Sequence, residues 1–187
     1  MFRAPWRVSA LIVVSSIVCL VACSSSDKPG DAPSTQTSSP APSPSPSTAG
    51  PADSARAAAL AAYRGYLAAW VAAARTSNPN DPALLRYADG AALRTVVGSL
   101  AANRAAGKVS RGTIVPAPKV VALSPSTRPT SATIRDCADA SHWLLYRKSG
   151  ELWNDDPGGR HDVNAVVHST AAGWKVTSIA IGGVGSC

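Results

Sequence analysis

The sequence predicts an α+β domain: three helices packed on a curved antiparallel sheet, preceded by a leader and a disordered Ser/Pro linker. Three observations predict it. Apolar residues recur at helical spacing from about residue 53 to 106. From Lys108 onward short β-rich runs alternate with turn residues. Residues 24–51, by contrast, contain no Leu, Ile, Val or aromatic side chain with which to build a core.

The first helix is expected from about Asp53 to Thr76. Asp53 or Ser54 can cap it, and Leu60, Tyr63, Leu67, Trp70, Val71 and Ala74 fall on one stripe. The opposite side is mostly alanine with Gly65, which would let another helix approach closely, although the alanine-rich composition of the chain explains it equally well. Asn78-Pro79-Asn80-Asp81-Pro82 ends this helix, and Asp81 can cap a short second one through Tyr87. After Asp89-Gly90 a third helix runs from about Ala91 to Ala106. Its buried stripe is Leu93, Val96, Val97 and Leu100, with Gly107 as the stop.

Six strands follow: Val109–Val115, Lys119–Leu123, Thr130–Cys137, His142–Lys148, His161–Thr170 and Trp174–Ile181. Pro116, Pro118, Pro125 and Pro129 mark ends or edges of the early ones, because proline cannot donate to a ladder. Ala171-Ala172-Gly173 joins the last two as a hairpin. Helices first and strands afterwards place the helices on one sheet face. The domain is expected to span residues 52–187 as a single unit.

The N-terminus has the three zones of an export signal over residues 1–22. Arg3 and Arg7 precede an apolar run, VSALIVVSSIVCL, too short to span a bilayer comfortably. It ends in Leu20-Val21-Ala22-Cys23, which resembles the lipobox of bacterial lipoproteins. That resemblance implies a thioether from diacylglycerol to the Cys23 sulfur and cleavage after Ala22. Two acyl chains are the threshold for stable membrane attachment. The location expected is therefore the extracellular face of the cell membrane. Residues 23–51 are then the lipidated cysteine and its tether, which in extended polyproline geometry reaches roughly 80–90 Å at ~3.1 Å per residue.

Lipidation also simplifies the cysteine count. Cys19 leaves with the leader and Cys23 is consumed, so Cys137 and Cys187 remain in an oxidising compartment. A structural disulfide between them is expected. A redox-active pair would need the two close in sequence.

Loss of Arg3 and Arg7 leaves 16 Lys+Arg against 11 Asp+Glu, a net +5. The charge is uneven: Ala52 to Arg128 carries ten bases and three acids, and Pro129 to Cys187 five and six. Such asymmetry can mark a surface facing anionic lipid or wall polymer, but an ordinary solvated face explains it more simply. The bases stand singly, without an aromatic-interleaved run, which argues against a nucleic-acid interface.

Asp136-Cys137 followed by Asp139 and Trp143, then Thr170-x-x-Gly173-Trp174-Lys175-Val176 and the terminal Cys187, complete a recognisable order of elements. From Asp53 to Cys187 the chain resembles the nuclear-transport-factor-like superfamily of cone-shaped α+β domains. The whole chain is similar to secreted lipoproteins of high-GC Gram-positive bacteria that carry such a domain. In the superfamily's enzymes the cone mouth holds an acid or base. That resemblance makes Asp136, Asp139, His142 and Tyr146 the catalytic candidates, with Tyr63, Tyr66 and Trp70 as lining. Strand alternation puts Asp136 opposite Cys137, and His142 on the side of Tyr146. The competing reading is that Asp136 and Asp139 shape the turn near the disulfide and His142 lies on the surface.

No metal or cofactor is expected. His161 and His168 are seven apart and so face opposite sides of a strand. Asn154-Asp155-Asp156-Pro157-Gly158-Gly159 lacks regular calcium-loop spacing and reads as a turn. Gly182-Gly183-Val184-Gly185 has no following helix to cradle a phosphate. The sequence therefore points to a membrane-tethered domain that binds a protein, a wall component or a small apolar ligand without catalysis. The alternative is a small cone-pocket enzyme of isomerase, cyclase or hydratase type.

Overall fold

The computed structural model describes residues 50–154 and 158–187. The expected leader, Cys23 and the tether through residue 49 lie outside the described residues, as do Asp155, Asp156 and Pro157 of the turn. Among the described residues no helix is long and apolar enough to cross a membrane.

The architecture is α+β. Helices α1 (Pro51–Ala74), α2 (Pro82–Tyr87) and α3 (Gly90–Ala105) precede strands β1 (Lys108–Gly112), β2 (Lys119–Ser124), β3 (Ser131–Asp139), β4 (Trp143–Arg147), β5 (Arg160–Thr170) and β6 (Gly173–Ile181). The start of α1 differs from expectation. It begins at Pro51, and neither Asp53 nor Ser54 caps it. Gly50 is the N-cap, without a side-chain bond, and proline at the first helical position has the required φ already set. Asp53 instead lies in the first turn, where the helix dipole favours an acid. Asp81 caps α2 by accepting from the Ala83 N–H at 2.9 Å, as its position predicts.

The single expected sheet is two. β1 and β4 pair antiparallel on their own, and the other four strands form an antiparallel sheet in the order β2-β3-β5-β6. The expected first strand stops short at Gly112, whose φ is +94° and whose Cα faces the His142 carbonyl so closely that no Cβ fits. The chain turns there, and Val115 rejoins the fold through a pair of backbone hydrogen bonds with Asp139.

Both outer strands of the larger sheet carry a bulge. On β2 the register shifts between Val120 and Ala122; on β6 Val176 and Ser178 pair with consecutive residues, Val167 and Val166. An extra residue reverses the alternation beyond it. The inward residues of β6 are thus Val176 before the bulge and Ile179 and Ile181 after it. Bulges at edges also interrupt the regular ladder that invites edge-to-edge pairing.

Helix α1 lies across the inner face of the sheet. Its Tyr63, Tyr66, Leu67 and Trp70 join Ala132, Ile134, Ala138, Val163, Ala165, Val167 and Val176 in one core. On the alanine side of α1, Gly65 lies under the Tyr87 ring of α2; a Cβ there would come within 2.6 Å of its Cδ1. The glycine thus admits α2 where any side chain would hold it off. On the outer face, Cys137 is bonded to Cys187, 50 positions further along the chain, with Cα atoms 5.8 Å apart.

Candidate functional site

The inner face of the sheet is covered unevenly. Toward the start of β3, the end of β5 and the start of β6, the space under α1 is filled by Ala132, Ile134, Ala165, Val167 and Val176, each at most 1% exposed. Toward the other end lies a cavity of about 200 Å³. Leu67 and Trp70 of α1 form one wall and Ile114 closes a side. Ala138, Ala140, Val163, His161, Ile179 and Ile181 supply the sheet side, with Trp143 of β4 and Gly158 completing it.

Sequence choices make the room. Two of the sheet-side positions are alanines, Ala138 and Ala140, where larger side chains would fill the space. Gly158 is held against the Ala140 carbonyl too closely for any Cβ. Trp70 and Trp143 meet edge to face, with ring centroids 5.4 Å apart and planes at 81°, a favoured aromatic arrangement. Tyr66 stands behind them, its ring centroid 6.0 Å from that of Trp70.

Three side chains of the lining carry a polar group, Trp70, Trp143 and His161. The Trp143 indole N–H is buried and has no hydrogen-bond partner among the described residues. The His161 Nδ1 lies 2.8 Å from the Gly182 carbonyl oxygen. A carbonyl only accepts, so Nδ1 carries the proton and, in the neutral ring, Nε2 is left as an acceptor.

The catalytic candidates do not assemble around this cavity. Asp136 lies on the side opposite Cys137 as alternation predicts; that side is the inner one and Asp136 is buried there, but both of its oxygens are engaged. Oδ2 accepts from the Tyr63 hydroxyl at 2.8 Å and Oδ1 from the Ala117 N–H at 2.6 Å. It ties α1 to the segment entering β2, and it does not line the cavity. Burial and the adjacent Asp136 carboxylate hold the Tyr63 hydroxyl well above the usual tyrosine range, and burial does the same for Tyr66. Neither is a ready proton donor. Asp139 accepts from the Ser141 N–H at 2.9 Å, closing a turn, and its hydrogen bonds with Ser141 hold its carboxyl below the ordinary value. His142 is exposed. Tyr146 packs under the Arg111 guanidinium, 5.0 Å from its ring centroid, and is absent from the cavity wall.

Of the expected lining, Trp70 is in the wall, and Tyr66 is fully buried behind it with its hydroxyl also unpartnered. Sequence reasoning weighed His161 only as a metal ligand and missed it as lining. Its parity with the apolar Val163, Ala165 and Val167 was the available signal: all four share the inner face of β5. Among the described residues no group of three or more His, Cys, Asp or Glu side chains is disposed to hold a metal ion.

No family model and no curated protein matches the chain. Among solved structures it is similar to the crystal structure of the intermembrane space region of the chloroplast protein ARC6. That match has 16% sequence identity and a TM-score of 0.48, and it covers 67% of this chain and 95% of the other. At that identity and TM-score the likeness assigns neither family nor activity.

Proposed function

We propose that this chain is an envelope lipoprotein, lipidated at Cys23, whose domain holds a small apolar ligand without catalysing its conversion. The cavity between α1 and the sheet carries the ligand-binding part of this reading. Cavities of about 150 Å³ lined by aliphatic and aromatic side chains take up a benzene-sized guest, and this one measures about 200 Å³ with walls that are almost wholly apolar. The absence of a carboxylate from its lining, and the full engagement of Asp136 elsewhere, weigh against the isomerase, cyclase or hydratase alternative. The element order and the Gly173-Trp174-Lys175-Val176 hairpin support a place for the domain among the nuclear-transport-factor-like folds. The Leu20-Val21-Ala22-Cys23 sequence behind an apolar run supports the anchor.

Toluene tests the cavity directly. It should bind the full chain, as read by ligand-observed NMR, and Ala138→Leu should abolish binding by filling the space. Binding that survives Ala138→Leu unchanged would place the guest elsewhere and sink the reading. For the anchor, labelled fatty acid should be incorporated by the natural chain and not by Cys23→Ser.

A second reading, contact with an anionic wall polymer, is favoured by a cation–aromatic cluster beside the small sheet. Lys108 Nζ lies 3.9 Å and the Arg147 guanidinium 4.4 Å from the Trp153 ring centroid. Neither cation has a salt-bridge partner among the described residues. The aromatic ring pre-orders the two charges. Lys108→Gln with Arg147→Gln should elute from immobilised polyphosphate at distinctly lower salt; unchanged elution would dismiss this reading.

A further inference from the structure

We propose that a groove along α1, between Arg64 and Arg75, docks an extended segment of a partner protein that carries an acidic side chain at each end of a short apolar stretch. The inference does not depend on the cavity under α1 or on what fills it. Leu67 and Ile114 border both spaces, but the groove is a separate one, of about 380 Å³.

The groove follows from the spacing of residues on one helix. Arg64, Ala68, Ala72 and Arg75 recur at intervals of four, four and three, which places them on one stripe of α1. Arg75, the C-cap, keeps helical backbone angles. Ala68 and Ala72 leave a depression along that stripe, bordered below by the buried Leu67 and Val71. The chain leaving β1 turns at Gly112 and supplies the facing wall with Ile114 and Pro116. Eleven residues at ~1.5 Å of rise put the two arginines about 16 Å apart along the helix axis.

No acidic residue lines the groove, and neither guanidinium has a hydrogen-bond or salt-bridge partner among the described residues. Its ends are therefore positive and its middle apolar, and the complementary partner has the reverse pattern. Two features favour a peptide over an acyl chain. Ala68, Ala72 and Thr113 are exposed, so the groove is open along its length. An extended peptide lays one row of side chains in such a groove and keeps its backbone polar groups in water, whereas an acyl chain would leave much of its methylene surface wet. A fatty acid also brings one acidic head to two guanidiniums. In an extended chain the side chains at i, i+2 and i+4 share a face, and i and i+4 are about 13 Å apart at ~3.3 Å per residue. The reach of the arginine and glutamate side chains covers the remainder.

The test titrates two peptides, Glu-Ala-Val-Ala-Glu and Gln-Ala-Val-Ala-Gln, each blocked at both ends, into the isotope-labelled full chain at low salt, followed by amide NMR shifts. The acidic peptide should shift the amides of Ala68 and Ala72 and bind about tenfold more tightly than the neutral one, the effect of two exposed ion pairs. Arg64→Gln and Arg75→Gln should each weaken the acidic peptide about threefold and together about tenfold, with the neutral peptide unaffected. Both arginines are exposed, so these variants keep the fold. Equal affinities for the two peptides would overturn the proposal, as would shifts confined to other parts of the domain. Laurate binding in the groove more tightly than the acidic peptide would make it a lipid site and overturn the proposal too. Failure of the acidic peptide to bind would dismiss the groove as a docking site. None of these outcomes bears on toluene in the cavity, so the two readings fall separately.

Discussion

The two halves of the space beneath α1 are built to different rules. In one half Ile134, Val167 and Val176 are fully buried, and Asp136, the one buried carboxylate among the described residues, has a donor on each oxygen. In the other half alanines, a glycine and two tryptophans border a cavity, and the indole N–H of Trp143 has no partner among the described residues. Tyr63 and Tyr66, three residues apart on the same helix, show the difference in miniature. Both are fully buried, yet one hydroxyl is bonded to Asp136 and the other has no partner among the described residues. The filled half meets every requirement of a stable core. The open half departs from them, and departures of this kind concentrate where a protein does something besides fold.

The contrast can be broken by mutation. One of the two largest effects belongs to Asp136→Ala, which leaves the Tyr63 hydroxyl and the Ala117 N–H without an acceptor. We expect a loss of about 3 kcal/mol in urea unfolding; a loss below about 1 kcal/mol would show that the clamp is dispensable. Matched truncations come next. Ile134→Ala, in the filled half, should cost about 3–4 kcal/mol. Ile179→Ala, at a wall already bordering a void, should cost about 1–2 kcal/mol. Equal losses would mean that the two halves are packed alike.

Deleting the two hydroxyls should give opposite signs. Tyr63→Phe strips Asp136 of a donor and should destabilise by about 1–2 kcal/mol. Tyr66→Phe removes an unpartnered polar atom and should be neutral or stabilising by up to about 1 kcal/mol, read from the same urea midpoints. The smallest effect is one of pH. For both tyrosines the folded state holds the proton more tightly than the unfolded chain, which releases it near pH 10. Their contribution to stability is therefore complete below about pH 10 and is lost as pH rises through the higher folded values. Urea midpoints should be level from about pH 7 to 9 and fall above pH 10, less steeply in Tyr63→Phe. A fall that begins near neutrality would contradict the burial of these hydroxyls.

Much of the scaffold was legible along the chain because its signals are local. Asp81 caps α2, Gly107 with φ +69° ends α3, and Gly173 with φ +102° closes the last hairpin. Each follows from the conformational preferences of one or two residues. The Cys137–Cys187 pair followed from counting, once Cys23 was assigned to lipid. Other features lay beyond such reasoning. The edge bulges reverse the face on which β6 presents its apolar residues, so strict alternation misplaces Ile179 and Ile181. A bulge is set by how a strand meets its neighbour, and nothing in a period-two count announces it. Gly112 gave no sign that it divides one sheet into two, because the His142 carbonyl that excludes a side chain there lies 30 positions away.

By itself the sequence determined the class of fold, the order and approximate extent of its elements, and the apolar stripes of its helices. These depend on period, caps and breakers, which act over a few residues. It also put Asp136 on the face of its strand opposite Cys137. Only the tertiary structure decided what that placement means. Tyr63, 73 residues distant in sequence, reaches Asp136 and makes it a clamp, while the cavity forms elsewhere around Trp70, Trp143 and His161. The chemistry of a site depends on which groups meet in space and which are left unmet. That is settled by how helices and sheets pack, a long-range balance that no local pattern encodes.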